Sequence, residues 1–356
     1  MAEQPETRLD TATSQAAAEA DFRQAARETS WWRHLLGQRE MGIFAAAVLL
    51  FIILTVMNQG DGVNKFIRPE NLITIVRQIS LTTILAVGMT FIIISGEIDL
   101  SVGSVFAVTG IVLGLLIKQV ELNPWLALLI VLGLGMVIGL INGSITTKLG
   151  VPSFVVTLGA LSTYRGVALG LASGWPVAGL PPSRFYDITG GYLVVQSNTY
   201  FSIPMQVMWM GLFLIFGWWL LSTTRYGYHV YATGSNKQAA IFSGISTDRI
   251  KILTFILMGF LVAAASSLQL GFFKSFQPTN GQGLELQVIA AVIIGGTNLF
   301  GGSGNIIGTF LGAIIIGMIN NGLILAGVPT YWQFVVIGII IVLAVVLDVQ
   351  IRKRQL

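Results

Sequence analysis

The chain of 356 residues contains no cysteine and only two histidines, His34 and His229. The first absence excludes disulfides, thiolate metal sites and thiol nucleophiles, and the second leaves too few imidazoles for a histidine-built metal centre. Charge is scarce as well: Asp, Glu, Lys and Arg make up 10% of the residues, against 54% hydrophobic ones and 41 glycines. With a mean hydropathy of +0.78, that balance lies outside the range of soluble globular domains and describes a polytopic membrane protein. There is no G-x-x-x-x-G-K-[ST] phosphate loop, no kinase-type lysine and catalytic-loop set, and no nucleophile elbow, so any ATP-driven process needs a separate ATPase. The pI near 9.4 does not point to nucleic acid, because the basic residues are dispersed over short connections and a tail. The polar first 40 residues do not read as a secretory leader; the first apolar run begins at Met41, and insertion by the first span is expected.

A bilayer asks for about 20 apolar residues per helix. That criterion predicts ten spans, near 42–57, 72–95, 102–118, 125–146, 153–173, 203–221, 252–272, 286–300, 305–325 and 331–348. Three regions follow: a polar extension over 1–40, a transmembrane domain over 41–350 and a basic tail over 351–356. The extension reads as flexible to about Asp21, then either as a surface helix bearing Trp31 and Trp32 or as continued disorder. With the N-terminus in the cytoplasm, that side collects most of the Lys and Arg, including Lys148, Arg225, Lys237, Arg249, Lys251 and Arg352, while the other receives Lys65, Arg68, Lys118, Arg184 and Lys274. The bias places both termini inside. Arg77 is near enough to a span end to snorkel, whereas Arg165 lies well within a span and calls for a partner or a wet cavity.

The segment "ISGEIDLSVGS" (94–104) puts Glu97 and Asp99 into this greasy context, flanked by Gly96 and Gly103. A helix interrupted there frees backbone groups that lipid cannot satisfy, so the segment must be buried in protein or line a wet cavity, to which Glu97, Asp99, Ser101 and Ser104 would add polar groups. The carboxylates have several possible uses: pairing with Arg165, lining a route for a polyhydroxy solute, or holding a cation or proton. Asp99 can also cap the next helix through the Ser101 or Val102 amide, the role preferred here. The sequence also repeats. "GLINGSITTKLGVPSF" (139–154) matches "GMINNGLILAGVPTY" (317–331), and a second Gly-rich break, "IGGTNLFGGSGN" (294–305), is the expected partner of the first. The matched joints lie five spans apart, which inverts one half relative to the other, a transporter pattern. Phe106, Phe154 and Tyr164 are candidates for lining a path, although membrane aromatics more often pack.

Within the long cytoplasmic connection 223–251, "SNKQAAIFSGI" reads as a short helix capped by Ser235 or Asn236 and ended by Gly244. It suits either docking in a partner's groove or an ordinary interfacial loop helix.

Taken together and in this order, "GEIDLSVGS", "GVPSFVVTLG", "GSNKQAAIFSGI" and "AAVIIGGTNLFGGSGNIIGTFLGAIIIGMINNGL" resemble the permease subunits of bacterial ABC importers for monosaccharides of the ribose, xylose, arabinose and galactose type, from about residue 42 to 350. The resemblance implies an all-α polytopic membrane protein with about ten transmembrane helices, an inverted repeat and a type II importer fold like that of the vitamin B12 permease. It implies a bacterial inner-membrane location, a second permease copy or related chain, ABC ATPase subunits that bind the ATP and Mg, and a periplasmic sugar-binding protein. By the same resemblance Gly234, Asn236, Ala239, Ala240, Ser243 and Gly244 match the coupling helix, and Gly96, Asp99, Ser101, Gly103 and Ser104, with Ile98 and Leu100, the motif after the second span. Glu97 departs from the commonest family form, which has glycine there. The competing readings are a permease of the same superfamily for branched-chain amino acids or nucleosides, and an ion-coupled secondary transporter built on Asp99 and Arg165.

Overall fold

The computed structural model describes residues 39–60, 63–194 and 202–353; the expectations for Asp21, Trp31, Trp32 and the end of the basic tail lie outside the described residues. In chain order the helices are α1 (Arg39–Met57), α2 (Pro69–Ile94), α3 (Val102–Lys118), α4 (Pro124–Lys148), α5 (Ser153–Leu171), α6 (Arg184–Thr189) and α7 (Met205–Thr223). They continue as α8 (Arg225–Ser235), α9 (Lys237–Phe242), α10 (Thr247–Phe273), α11 (Leu284–Ile294), α12 (Ile306–Leu325) and α13 (Thr330–Lys353). The strands are two or three residues long and form three two-stranded antiparallel ribbons. Each predicted span overlaps one helix, but the helix in the span expected at 286–300 is only 11 residues long and ends at Ile294. Seven helices are long and apolar enough to cross a bilayer, while Val102–Lys118, Leu284–Ile294 and the apolar stretch Tyr331–Leu343 are shorter.

Local chemistry sets the helix starts. Pro69 and Pro124 occupy first-turn positions where the missing N–H costs nothing, and the Asn123 side chain accepts from the Trp125 amide at 2.9 Å. Helix α3 is the most buried, and with α2, α10 and α12 it forms the interior. Helix α4 lies on α10 with almost no space between the backbones: a Cβ added at Gly139 would stand 2.1 Å from the Phe255 carbonyl oxygen, and one at Gly135 2.3 Å from that of Gly259. This is small-residue packing of the kind that replaces hydrophobic driving force inside a membrane.

The order α2 to α5 is repeated by α10 to α13. The counterparts α2 and α10 have 26 and 27 residues, and each precedes a non-helical connection and a short helix, α3 with 17 residues and α11 with 11. The joints α4 to α5 and α12 to α13 then correspond, each carrying a positive-φ glycine, Gly150 and Gly327, ahead of Val-Pro. This corrects the repeat expected from sequence. The counterpart of the 95–101 break is the 274–283 connection, five spans on, and not the 295–305 loop, which is six spans on.

The resemblance between "SGEIDLSVGS" and "IGGTNLFGGSGN" is local. Both helices end in the same cap: Gly96 and Glu97 donate to Ile93 and Ile92 carbonyls at 2.9 and 3.1 Å, and Gly296 and Thr297 donate to Ile293 and Val292 at the same distances. Glycine is needed at the left-handed position of each cap, φ 83° at Gly96 and 87° at Gly296. The polar residue that follows bends the chain in the same way, Asp99 Oδ1 accepting from the Ser101 amide at 2.8 Å and Asn298 Oδ1 from that of Phe300 at 2.9 Å.

Candidate functional site

The 95–101 segment descends along α5. Near its start the Ile98 amide donates to Ser153 Oγ at 3.1 Å, in the first turn of α5; beyond its end, Arg165 donates to the Gly103 carbonyl at 3.1 Å. Ser153 and Arg165 are twelve residues apart, about 18 Å along a helix. Helix α3 therefore begins well inside the layer of helices. From the opposite direction the 277–283 connection turns inward, because Arg165 also donates to the carbonyls of Pro278 and Asn280 at 2.6 and 2.9 Å. The N-termini of α3 and α11 thus converge: a Cβ on Gly103 would lie 2.0 Å from the Gly281 carbonyl oxygen and 2.4 Å from Glu285 Oε2.

Arg165 binds three carbonyls instead of either carboxylate of the break, which corrects the expected pairing with Glu97 or Asp99. The planar guanidinium has enough donors to tie three chain segments together, and bending chain at this depth needs them. Gly103 is corrected too. It does not interrupt a helix but lies in the first turn of α3, where it permits close approach to Gly281. Asp99 is buried, and its Oδ1 accepts from both the amide and the hydroxyl of Ser101, at 2.8 and 2.6 Å. Ser101 in turn accepts from Asn142 Nδ2 at 3.1 Å, and Tyr164 donates to Asn142 Oδ1 at 3.3 Å, which carries the network across α4 to α5. Ser104 is wholly buried and donates to the Ser101 carbonyl at 2.8 Å, so it lines no open cavity.

Glu97 has its own partner. Its carboxylate pairs with Lys251, early in α10, at side-chain exposures of 11% and 12%. Among the candidate aromatics, Phe106 is buried against Phe276 with ring centroids 5.6 Å apart, whereas Phe154 is exposed. Arg77 does not simply reach for the surface; its guanidinium sits 3.9 Å from the centre of the Phe272 ring.

The short helix in the long connection is present as α9, capped by Asn236, whose Oδ1 accepts from the Ala239 amide at 3.0 Å. Ser235 belongs instead to the end of α8. Gly244 terminates the turn with φ 81°, just after Ser243. Ala240 is buried, which removes it from any docking face, while Ala239 is exposed. The exposed surface is more apolar than expected: Phe242 is 90% exposed and Ile241 is exposed beside it. Neither was singled out in the sequence, though an Ile-Phe pair ahead of a glycine stop on a polar connection was the available signal.

This element is joined to the break from both sides. A Cβ on Gly234 would fall 1.7 Å from the Ile94 carbonyl oxygen, which also accepts from the Gly302 amide at 2.9 Å. On the other side Lys251 holds Glu97. The end of α2, the 295–305 loop, the end of α8 and the start of α10 therefore meet around one point.

Residues 71–345 match the family model described as branched-chain amino acid transport system / permease component. The ribose import permease of Bacillus subtilis (strain 168) is 38% identical over 319 residues, 89% of this chain and 94% of the relative. The ribose import permease of Escherichia coli (strain K12) is 38% identical over 317 residues, again 89% and 94%. The xylose transport system permease of the same strain is 32% identical over 362 residues, 87% and 91%. No solved structure matches the chain. A match of this extent, on a helical membrane fold with two inward-starting short helices, means that the chain belongs to the family of branched-chain amino acid transport system permease components.

Proposed function

We propose that the chain is the transmembrane permease subunit of an ATP-driven importer, translocating a monosaccharide or related small polyol delivered by a periplasmic binding protein. The observation that carries this is the near full-length similarity to ribose and xylose permeases. The family description names amino acids, but the sugar permeases match over about nine tenths of this chain, which favours a sugar. Ten spans in a type II arrangement, both termini in the cytoplasm and a pair of permeases in the inner membrane belong to the same reading.

ATP and Mg are held by separate ATPase subunits, consistent with a sequence that carries no phosphate loop. In this reading α9 docks in the ATPase through Ala239, Ile241 and Phe242. When the ATPases close, α9 is displaced, and the displacement passes through the Gly234 contact and the Lys251–Glu97 pair to the 95–101 segment. Because that segment and the 277–283 connection are pinned to α5 by one arginine, the movement changes which side the central path opens to. The soluble receptor carries the affinity, and weak binding in the path speeds release.

Reconstitution in vesicles tests the reading: labelled ribose or xylose should accumulate only with the ATPase, ATP and binding protein present. Uptake by the chain alone, driven by a proton or sodium gradient, would establish the secondary-transporter alternative.

A further inference from the structure

Several exposed side chains at the convergence of α3 and α11 are polar and uncharged. Ser162 on α5 is exposed and stands three residues before Arg165, on the same side of the helix; Thr279 and Gln282 are exposed on the connection that Arg165 binds. Ser162 lies about 14 Å along α5, and Thr279 and Gln282 sit on the connection held by Arg165, about 18 Å along it. Non-helical backbone at such a depth does not face hydrocarbon; it is covered by protein or borders water. Gly281 and Gly283, with φ 77° and 76°, make this stretch of that kind.

Two of the charges nearby are already engaged, Arg165 on three carbonyls and Asp99 in the buried contact with Ser101, and the third, Glu285, is half-buried against the Gly103 backbone. What remains available to a passing molecule is a hydroxyl pair and a carboxamide, groups that both donate and accept. A zwitterion would find no free counter-charge in this set, whereas a neutral polyhydroxylated molecule would find a match for each hydroxyl.

We propose that Ser162, Thr279 and Gln282 form the solute-contacting surface of the translocation path, and that it handles a neutral polyhydroxylated solute by exchanging its hydration for these groups. This rests on the transport reading above. The contacts are few, as suits a surface that must release what it holds.

The natural absence of cysteine provides the test. Single replacements Ser162→Cys, Gln282→Cys and, as a lipid-facing reference on α7, Ile215→Cys are each assembled with ATPase and binding protein in vesicles. A cationic, membrane-impermeant methanethiosulfonate is then added. Modification at the first two sites should be at least about tenfold faster than at the reference, as water exposure demands. D-ribose or D-xylose with the binding protein should slow it, while L-leucine should not. Reaction no faster than at Ile215→Cys would overturn the assignment whether or not the chain carries sugar. Protection by leucine alone would overturn the solute class. Gln282→Leu should lower the maximal rate of ribose or xylose uptake about 3- to 10-fold, the loss of one hydrogen bond on the path, with a KM set by the binding protein.

Discussion

Breaking the Glu97–Lys251 pair should uncouple the break from α10 and destabilise the chain at the same time. Both side chains are nearly buried, at 11% and 12% exposure, so solvent screens little of their interaction. Lys251→Met leaves a buried carboxylate without its cation, and Glu97→Gln leaves an ammonium without its anion. Removing one member of such a pair costs about 3–5 kcal/mol, mostly the penalty of the stranded charge. At roughly 2 °C per kcal/mol for a large domain, the thermal midpoint of the purified chain should fall by about 6–10 °C in either single variant. The double variant Glu97→Gln with Lys251→Met strands nothing and should recover most of that loss. The assay is a double-mutant cycle on thermal midpoints in detergent, run beside ATP-dependent uptake by the same variants assembled with the ATPase. With each single costing about 3–5 kcal/mol and the double about 1–2 kcal/mol, the expected coupling energy is about 5–8 kcal/mol, with uptake lost more than ATP hydrolysis in the single variants. If the singles lie within about 0.5 kcal/mol of the parent and simply add, the pair holds nothing, and force does not pass from the inner loop through it.

Gly103→Ala places a methyl group 2.0 Å from the Gly281 carbonyl oxygen, backbone that Arg165 helps hold in place; a loss of about 1–3 kcal/mol or more is expected, read as a lowered thermal midpoint. Asp99→Asn keeps an acceptor for the Ser101 amide and should cost about 1 kcal/mol, whereas Asp99→Leu removes the acceptor in a buried site and should cost about 2–4 kcal/mol. Equal thermal midpoints for these two variants would show the capping role of Asp99 to be incidental. Phe242→Asp, at a side chain 90% exposed in this chain, should leave insertion and folding unchanged but reduce co-purification of the ATPase by about tenfold, a loss near 1.4 kcal/mol; normal co-purification would remove α9 as the docking element.

Composition and apolar run length determined that this is a helical membrane protein and located its long helices, because lipid admits few alternatives to a hydrogen-bonded helix of about bilayer length. Residue chemistry also placed the short helix α9 and its Asn236 cap, since both depend on a few neighbouring residues. Partners across the chain were a different matter. Sequence suggested Arg165 for the carboxylates, yet 113 residues separate it from the Pro278 carbonyl that it binds, and backbone carbonyls carry no mark in a sequence. The same holds for Glu97 and Lys251, 154 residues apart. The matching Gly-Val-Pro joints reveal the repeat, but two similar helix caps look in sequence like corresponding breaks. Only the tertiary arrangement, in which α3 and α11 begin at the same depth and meet at Gly103 and Gly281, showed which connections correspond. Local capping is written in adjacent residues, whereas the depth at which a helix begins is decided by what packs against it.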